Sequence, residues 1–305
     1  MTSDPGLLRL QHHDLCLELA PEVGGSIARF YSGHGAERRH WLRPATAEAL
    51  ATRDPLRMGS FPLAPWCNRI RNGRSRYGAR PIDLPPNFKD SPHTIHGTSW
   101  QQPWRVLDAG PTEATLAQQH RPLPVARDWP YEFDVRQHFR LSDEGLTVEV
   151  SLTNHSEDPM PAGIGHHPYF PHRPGTRLQA RVDEMWAGDA ELLPTSLVQP
   201  PFLPDLAQGM ELSRLDLDNN FIGWSREARV EWPDLSAALT MRAEPPLDFF
   251  VLYCPPDADH FVMEPVSNCT DWMNLAAHGI GDAGGTLLAP GQTLTGRFTL
   301  APAPA

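Results

Sequence analysis

The stretch YEFDVRQHFRL, residues 131–141, places apolar or aromatic side chains at most of its odd-numbered positions and polar side chains between them. This alternation indicates a β-strand with one buried face, because successive side chains of a strand point to opposite sides of the sheet. The run LTVEVSLTN (146–154) repeats the pattern after the polar turn SDEG (142–145). The two runs predict an antiparallel hairpin with a four-residue loop, and this hairpin sets the fold class.

The same alternation recurs along the chain, in the runs TRLQARVDE (176–184), ARVEW (228–232), AALTMRA (237–243), DFFVLY (248–253) and TLTGRFTL (293–300). The 33 prolines and 23 glycines interrupt most segments before a helix of three turns can form. A threonine N-cap signal makes TAEALATRD (46–54) the best of a few short helices. We therefore predict an all-β protein, a large antiparallel β-sandwich, in a single domain over residues 1–305 with a frayed APAPA end.

Composition excludes several classes of function. The formal net charge is −11 and no cluster of basic residues is present, so nucleic acid is not an expected partner. No segment is apolar over the length needed to cross a bilayer and the N-terminal segment lacks a secretory pattern, so we expect no membrane association and a cytoplasmic location. The four cysteines are scattered singly, which predicts buried free thiols instead of disulfides or a zinc site.

Two stretches carry a titratable side chain that a purely structural strand does not need. In FVMEPVSN (261–268), Glu264 follows an apolar run and precedes a proline, which predicts a carboxylate at a strand end. This carboxylate is either a general base facing a cleft or a solvated strand terminus. In GIGHHPYF (163–170), only one of His166 and His167 can face a given side, and the proline after His167 restricts its backbone. His167 is either a positioned proton donor or part of a packed corner, and His166 is expected to support it or to lie in the core.

A second group of polar residues lies nearer the N-terminus. Alternation puts Arg69 and Arg71 on one face, where they either donate forked hydrogen bonds to a sugar or carboxylate or form a solvated arginine face. His93 and His96 have the H-x-x-H spacing of a metal pair, but the proline and glycine beside them disfavour the helix that this spacing needs. On its own, His96 is better explained as a turn histidine bonded to backbone than as a functional residue.

Taken in order, these stretches resemble the aldose 1-epimerase (galactose mutarotase-like) family. The resemblance covers nearly the whole chain and rests on NRI (68–70) followed by NGR, HGTSWQQPW (96–104), the strand–loop–strand at 131–152, HPYF (167–170), LDNNF (217–221) and MEPVSN (263–268). It implies a β-sandwich of the supersandwich type with a sugar cleft on one sheet and no cofactor. We also expect no metal, because the spacing of His93 and His96 lacks the helix that a metal pair needs.

The resemblance also implies roles for particular residues. His167 corresponds to the family's general acid and Glu264 to its general base, whereas Arg69, His96 and Asp218 correspond to positions that hold the sugar. Interconverting anomers needs a base to take the proton of the C1 hydroxyl and an acid to protonate the ring oxygen, after which the opened aldehyde recloses on its other face. A neighbouring carboxylate is expected to raise the pKa of the histidine and complete the pairing.

The expected partner is a small sugar, and the expected assembly is a monomer or homodimer. An apolar face for the sugar ring is expected from one of three tryptophans, Trp66, Trp100 or Trp224. The sequence does not indicate which aldose is preferred.

Two other functions are compatible with the same residues. A non-catalytic sugar-binding or sensor domain would use the same cleft, although recognition alone does not need an acid and a base. A metal-dependent isomerase or hydrolase would use as ligands His93, His96, His167 and Glu264.

Overall fold

The structure, a computed structural model, describes residues 6–89, 91–123 and 127–304. Antiparallel strands are the predominant secondary structure of these residues, which confirms the predicted all-β sandwich with a few short helices.

Three larger sheets contain most of the strands. A four-stranded sheet near the N-terminus consists, in order of pairing, of Leu8–His12, Leu15–Ala20, Ser26–Ser32 and Arg39–His40. A nine-stranded sheet consists of Arg105–Ala109, Glu113–His120, Phe133–Ser142, Gly145–Asn154, Thr293–Pro304, Ala237–Ala243, Glu227–Trp232, Arg177–Ala180 and Met210–Glu211. An eight-stranded sheet consists of Pro194–Val198, Glu184–Gly188, Leu217–Ile222, Phe249–Cys254, His260–Val266, Gly165–His166 and Pro62–Leu63, with Tyr169–Pro171 also paired to His260–Val266.

Short elements connect and flank these sheets. Three two-stranded ribbons pair Met160–Ala162 with Thr286–Leu288, Arg69–Ile70 with Thr94–Ile95, and Arg74–Ser75 with Ile82–Asp83. The α-helices are α1 (Ala47–Thr52), α2 (Leu203–Gln208) and α3 (Trp272–Ala277). The 3₁₀ turns are Gly35–Glu37, Pro55–Arg57, Arg71–Gly73, Ser99–Gln101, Leu212–Arg214 and Pro233–Leu235.

The helix predicted at 46–54 is confirmed as α1. The Thr46 hydroxyl accepts a hydrogen bond from the Ala49 backbone N–H at 3.1 Å, which satisfies one of the free donors of the first turn. None of the helices in the described ranges has the length and apolar character that spanning a bilayer requires. All four cysteines are buried free thiols, as predicted.

The hairpin predicted from residues 131–154 lies in the middle of the nine-stranded sheet. Its strands, Phe133–Ser142 and Gly145–Asn154, pair along their whole length, and every second side chain of each is buried. The predicted four-residue loop is wrong, because Ser142 pairs with Gly145 and leaves two residues in the turn. The turn is this tight because Gly145 adopts a φ of +107°, which a residue with a Cβ atom rarely adopts.

The nine-stranded and eight-stranded sheets pack face to face around one hydrophobic cluster. Fully or almost fully buried side chains from both sheets meet in it, among them Val148, Leu239, Phe298, Phe221, Phe250 and Met263. Burying a side chain of this size contributes about 1.5–3 kcal/mol, so the cluster is the main stabilising feature of the sandwich. It also makes the eight-stranded sheet a rigid support for the polar residues on its other face.

Two sequence-based boundaries are wrong. The run 176–184 is not one strand, because Arg177–Ala180 joins the nine-stranded sheet and Glu184–Gly188 joins the eight-stranded sheet. Alternation does not reveal this crossing, since a run of period two looks the same whichever sheet it enters. The APAPA end is not frayed over residues 301–304, because the last strand, Thr293–Pro304, stays paired to its final residue.

Candidate active site

A cavity of about 470 Å³ is bordered by the eight-stranded sheet and by the ribbon of Arg69–Ile70 and Thr94–Ile95. The five residues predicted to act on a substrate or to hold it come together here, although they are far apart in the chain. They are Arg69, His96, His167, Asp218 and Glu264.

His167 lies between the short strands Gly165–His166 and Tyr169–Pro171 and belongs to neither a strand nor a helix. Other contacts therefore have to fix its orientation. Its backbone N–H donates to the Phe61 carbonyl at 2.9 Å. Its ring stacks on the Phe61 ring, with the centroids 4.6 Å apart and the planes inclined by 16°. Backbone and ring are therefore both held by one residue, which fixes the direction in which the imidazole faces the cavity.

His166 faces the opposite side of the sheet, as the alternation predicts. Its Nδ1 lies against the Ser60 hydroxyl, and its Nε2 lies 2.9 Å from Oε1 of Gln137 in the nine-stranded sheet. A hydroxyl that donates to Nδ1 and an amide oxygen that accepts from Nε2 fit a neutral ring with its hydrogen on Nε2. Burial lowers the pKa of His166 to about 3, so this histidine is a neutral part of the core.

Glu264 lies inside the strand His260–Val266, opposite Val251 of the neighbouring strand. The prediction of a strand end at this position is wrong, because pairing continues through Pro265. The side chain is 3% exposed, and its Oε1 lies 3.3 Å from Nε2 of His167. A carboxylate and an imidazole thus face each other at the wall of the cavity.

Burial dominates the protonation of this pair. Loss of solvent raises the pKa of Glu264 well above its usual value, and the Asp218 carboxylate raises it further. Loss of solvent also lowers the pKa of His167, which is opposite to the rise expected from a neighbouring carboxylate. Between these two pKa values the pair holds one proton, whichever of the two groups carries it.

Arg69 and Asp218 form the second polar pair of the cavity. Arg69 Nη2 donates to Asp218 Oδ2 at 3.3 Å, and Nη1 donates to the Asn68 side-chain oxygen at 3.2 Å. Both partners are less than a quarter exposed, so the geometry of the pair is held more firmly than that of a surface ion pair. The two side chains therefore offer fixed donors and acceptors to hydroxyl groups.

His96 is held by an unusual backbone conformation. Its φ is +63°, and its Nδ1 accepts a hydrogen bond from the Asn68 backbone N–H at 3.2 Å. A neutral imidazole that accepts at Nδ1 carries its hydrogen on Nε2, and burial lowers the pKa of His96 well below its usual value. His96 therefore presents an N–H donor.

The hydrogen bonds of His96 also affect whether the cavity could bind a metal ion, the alternative considered from the sequence. His96, His167 and Glu264 each have one possible ligand atom within 4.8 Å of the others. Because Nδ1 of His96 is occupied and its Nε2 carries the hydrogen, His96 would have to lose its bond to Asn68 before it bound a metal. His93 does not join the group, since its Nδ1 accepts from the Asn72 backbone and it does not line the cavity.

Two further expectations from the sequence are wrong. Arg71 does not share a face with Arg69, because the strand ends at Ile70 and a 3₁₀ turn carries Arg71 toward Asp271, 3.6 Å from its Nε. The tryptophans proposed to face the sugar are buried, at 1%, 3% and 4% exposed, and do not line the cavity: Trp66, Trp100 and Trp224. The aromatic wall consists instead of Phe88, Tyr169 and Tyr253.

Several residues of the cavity were not expected from the sequence. Tyr169 follows His167 by two positions, so strand alternation was a usable signal that both lie on one side. Arg43 and Tyr253 carried no such signal, since neither lies in a motif and both reach the cavity through tertiary packing.

The sequence model of the aldose 1-epimerase family matches residues 6–301. The protein YphB of Escherichia coli K12, itself uncharacterized, is 30% identical over 300 residues, which cover 95% of this chain and 97% of YphB. A solved structure from Escherichia coli K12, provisionally assigned as an aldose 1-epimerase, is 29% identical with a TM-score of 0.86, and the match covers 98% of this chain and 99% of that one.

A more distant structure supports the fold alone. A galactose mutarotase-like protein from Clostridium acetobutylicum is 18% identical with a TM-score of 0.82, over 98% of this chain and 95% of that one. Strand order and sheet packing are therefore shared well beyond the range in which sequences are similar.

Proposed function

We propose that this chain, which belongs to the aldose 1-epimerase family, interconverts the α and β anomers of an aldose by opening and reclosing the sugar ring. The observation that carries the proposal is the separation of 3.3 Å between His167 Nε2 and Glu264 Oε1 at the wall of one cavity. The anomeric hydroxyl and the ring oxygen are bonded to the same carbon, so a base and an acid that serve both must be neighbours.

The reaction needs one proton and returns it. Glu264 takes the proton of the C1 hydroxyl while His167 gives a proton to the ring oxygen, and the bond between C1 and the ring oxygen breaks. The open aldehyde rotates about its C1–C2 bond, the C5 hydroxyl attacks the other face of the carbonyl, and the two proton transfers run in reverse. The exchange uses the form of this one-proton pair in which Glu264 is ionised and His167 is protonated, and each positioned transfer is typically worth about 10²- to 10⁴-fold in rate.

The remaining polar residues hold the sugar in our proposal. Arg69 and Asp218 offer a donor and an acceptor to neighbouring hydroxyls, and His96 offers its Nε2–H. Because these groups are fixed by Asn68 and by each other, they orient the anomeric carbon toward the catalytic pair without a large loss of side-chain entropy.

Polarimetry and anomer-resolved NMR on freshly dissolved aldoses, neutral and acidic, test the proposal. We expect anomer exchange above the buffer rate, and a loss of about 10²- to 10⁴-fold in kcat for Glu264→Gln and for His167→Asn. The matched controls are Glu113→Gln and His138→Asn, because these residues form a histidine–carboxylate pair at 3.6 Å on the exposed surface.

Buffer rates over the whole sugar panel would exclude the epimerase. If calorimetry then detected sugar binding by the same protein, the non-catalytic sugar-binding domain would be the correct function. A rate that depends on added Zn²⁺ and disappears in a chelator would support the metal-dependent alternative.

A further inference from the structure

Arg43 lines the same cavity as the catalytic pair but takes no part in the proposed proton transfers. The other arginine of the cavity, Arg69, is neutralised by Asp218 at 3.3 Å. Among the described residues, no carboxylate oxygen lies within 4 Å of the Arg43 guanidinium, and Asp54 and Asp259 act on its charge only from a longer distance. Arg43 thus brings a positive charge to the cavity that no adjacent carboxylate balances.

Neutral groups hold this guanidinium in place. Its Nη2 donates to the carbonyls of Leu56 and Met58, at 3.0 Å for Met58, and its plane lies over the Tyr169 ring, 3.7 Å from the ring centroid. These contacts satisfy hydrogen bonds and fix the orientation. They add no negative charge, so these contacts do not offset the attraction of the guanidinium for a bound anion.

A partly buried cation without a counter-charge is costly. Desolvation lowers the pKa of Arg43, and an unpaired buried charge destabilises a fold by more than its hydrogen bonds to carbonyls return. If the hydrogen bonds from the Arg43 side chain to the Leu56 and Met58 carbonyls served only to stabilise the fold, the donor would not need to be charged. The planar guanidinium is, however, the side chain best suited to bind a carboxylate or a phosphate through two parallel hydrogen bonds.

The distance from the catalytic pair suits one substrate molecule. Arg43 and His167 both contact the Tyr169 ring: the guanidinium carbon lies 3.7 Å and the imidazole centroid 4.6 Å from the centroid of this ring. Both groups therefore lie within the span of one sugar molecule, so a pyranose with its C1 hydroxyl at Glu264 can place a distal substituent near Arg43.

We propose that the preferred substrate is an aldose with an anionic group at its distal end, a carboxylate or a phosphate ester, and that Arg43 binds this group. The inference rests on the proposed function, because it assigns the anomeric carbon to His167 and Glu264. It adds a substrate class, since neither the polar pairs nor the aromatic wall of the cavity distinguishes a charged aldose from a neutral one.

The first experiment uses the unmodified protein and two matched pairs of substrates. A hexuronate is compared with its neutral amide, which differs only in charge, and a hexose 6-phosphate is compared with the parent hexose. We expect kcat/KM to be about tenfold or more higher for the charged member of at least one pair, as for a charge-assisted hydrogen bond. The pair that shows the preference tells whether the group is a carboxylate or a phosphate.

The second experiment assigns the preference to Arg43. Arg43→Met should lower kcat/KM more for the charged member than for the neutral one and so remove the preference, whereas Arg43→Lys, which loses the forked geometry but keeps the charge, should retain part of it. The control is Arg57→Met, because Arg57 lies in an adjoining cavity and is paired with Glu48 at 3.1 Å. This variant should keep the preference of the unmodified protein.

Equal or lower kcat/KM for the charged member of both pairs would overturn the inference and leave the epimerase intact, as would an unchanged preference in Arg43→Met. If no sugar were turned over, the proposed function would fail instead. Calorimetric titration with both pairs of sugars would then decide the inference alone, and equal affinity for the two members of each pair would overturn it.

Discussion

His166 and His167 are neighbours in the chain and occupy opposite environments. One is enclosed by groups of both sheets and fully hydrogen-bonded, whereas the other faces the cavity beside Glu264. The sequence predicted this division, because strand alternation sends adjacent side chains to opposite sides. It did not predict the protonation, since the pKa of His167 depends on how deeply the pair with Glu264 is buried, and burial arises from the whole fold.

The rate of anomer exchange should therefore depend on pH in an unusual way. The pair holds one proton between the lowered pKa of His167 and the raised pKa of Glu264. At lower pH a second proton removes the base, and at higher pH loss of the proton removes the acid. We expect kcat/KM to show no inflection from His167 near pH ~6.5, where an unperturbed histidine titrates, because burial lowers the pKa of His167 to about 3.

NMR exchange measurements from about pH 5 to pH 8, corrected for buffer catalysis, check this expectation. An inflection near pH ~6.5 that disappears in His167→Asn would show that His167 titrates as an exposed histidine and would contradict the assigned effect of burial.

At the scale of elements, long strands were predictable and short ones were not. The strands of the central hairpin and the strand Ala237–Ala243 follow from alternation over seven or more residues. Several residues of the cavity instead lie in or beside pairs of only two residues, such as Arg69–Ile70 with Thr94–Ile95. Two residues are too few to show an alternation of polar and apolar side chains. Such pairs form only where the rest of the fold already brings distant segments side by side.

The turn at Gly97 shows how such a short element depends on its surroundings. Gly97 has a φ of +76°, and a Cβ atom there would lie 1.8 Å from the Ala64 carbonyl oxygen. Gly97→Ala should lower the free energy of unfolding by about 1–3 kcal/mol through overpacking. It should also lower kcat, because the displaced backbone carries His96.

The matched control for Gly97→Ala is Gly279→Ala. Gly279 has nearly the same φ, +72°, and a Cβ atom there meets nothing within 4 Å. Chemical denaturation and polarimetry on both variants separate the clash from backbone strain. Equal losses of stability in the two variants would show that the contact with Ala64 is unimportant.

At the scale of the whole molecule, the candidate site is formed by residues that are far apart in the chain. Arg69 and Glu264 are nearly two hundred positions apart in the chain and line one cavity. Their convergence was predictable only through resemblance to a family, since composition and periodicity carry no information about which strand ends meet. The resemblance did not predict the charge of Arg43 or the position of the tryptophans, which depend on packing particular to this sequence.

We also expect the chain to unfold as one unit, consistent with a single domain over residues 1–305. One hydrophobic cluster contains residues of all three larger sheets. It extends from Leu10 in the first strand of the chain to Leu300 in the last strand. Loss of one sheet would expose the apolar face of another, so partial unfolding is unfavourable. Scanning calorimetry should give one transition with equal calorimetric and van't Hoff enthalpies, and two resolved transitions would argue for separate domains.

The complete burial of the tryptophans determines which optical signal can report on this protein. All nine indoles are at most 6% exposed, and none of them borders the cavity. Intrinsic fluorescence should consequently shift to longer wavelength when the chain unfolds and change little when a sugar binds. A probe of occupancy has to be introduced, and Phe88→Trp, at the partly exposed rim of the cavity, would provide one.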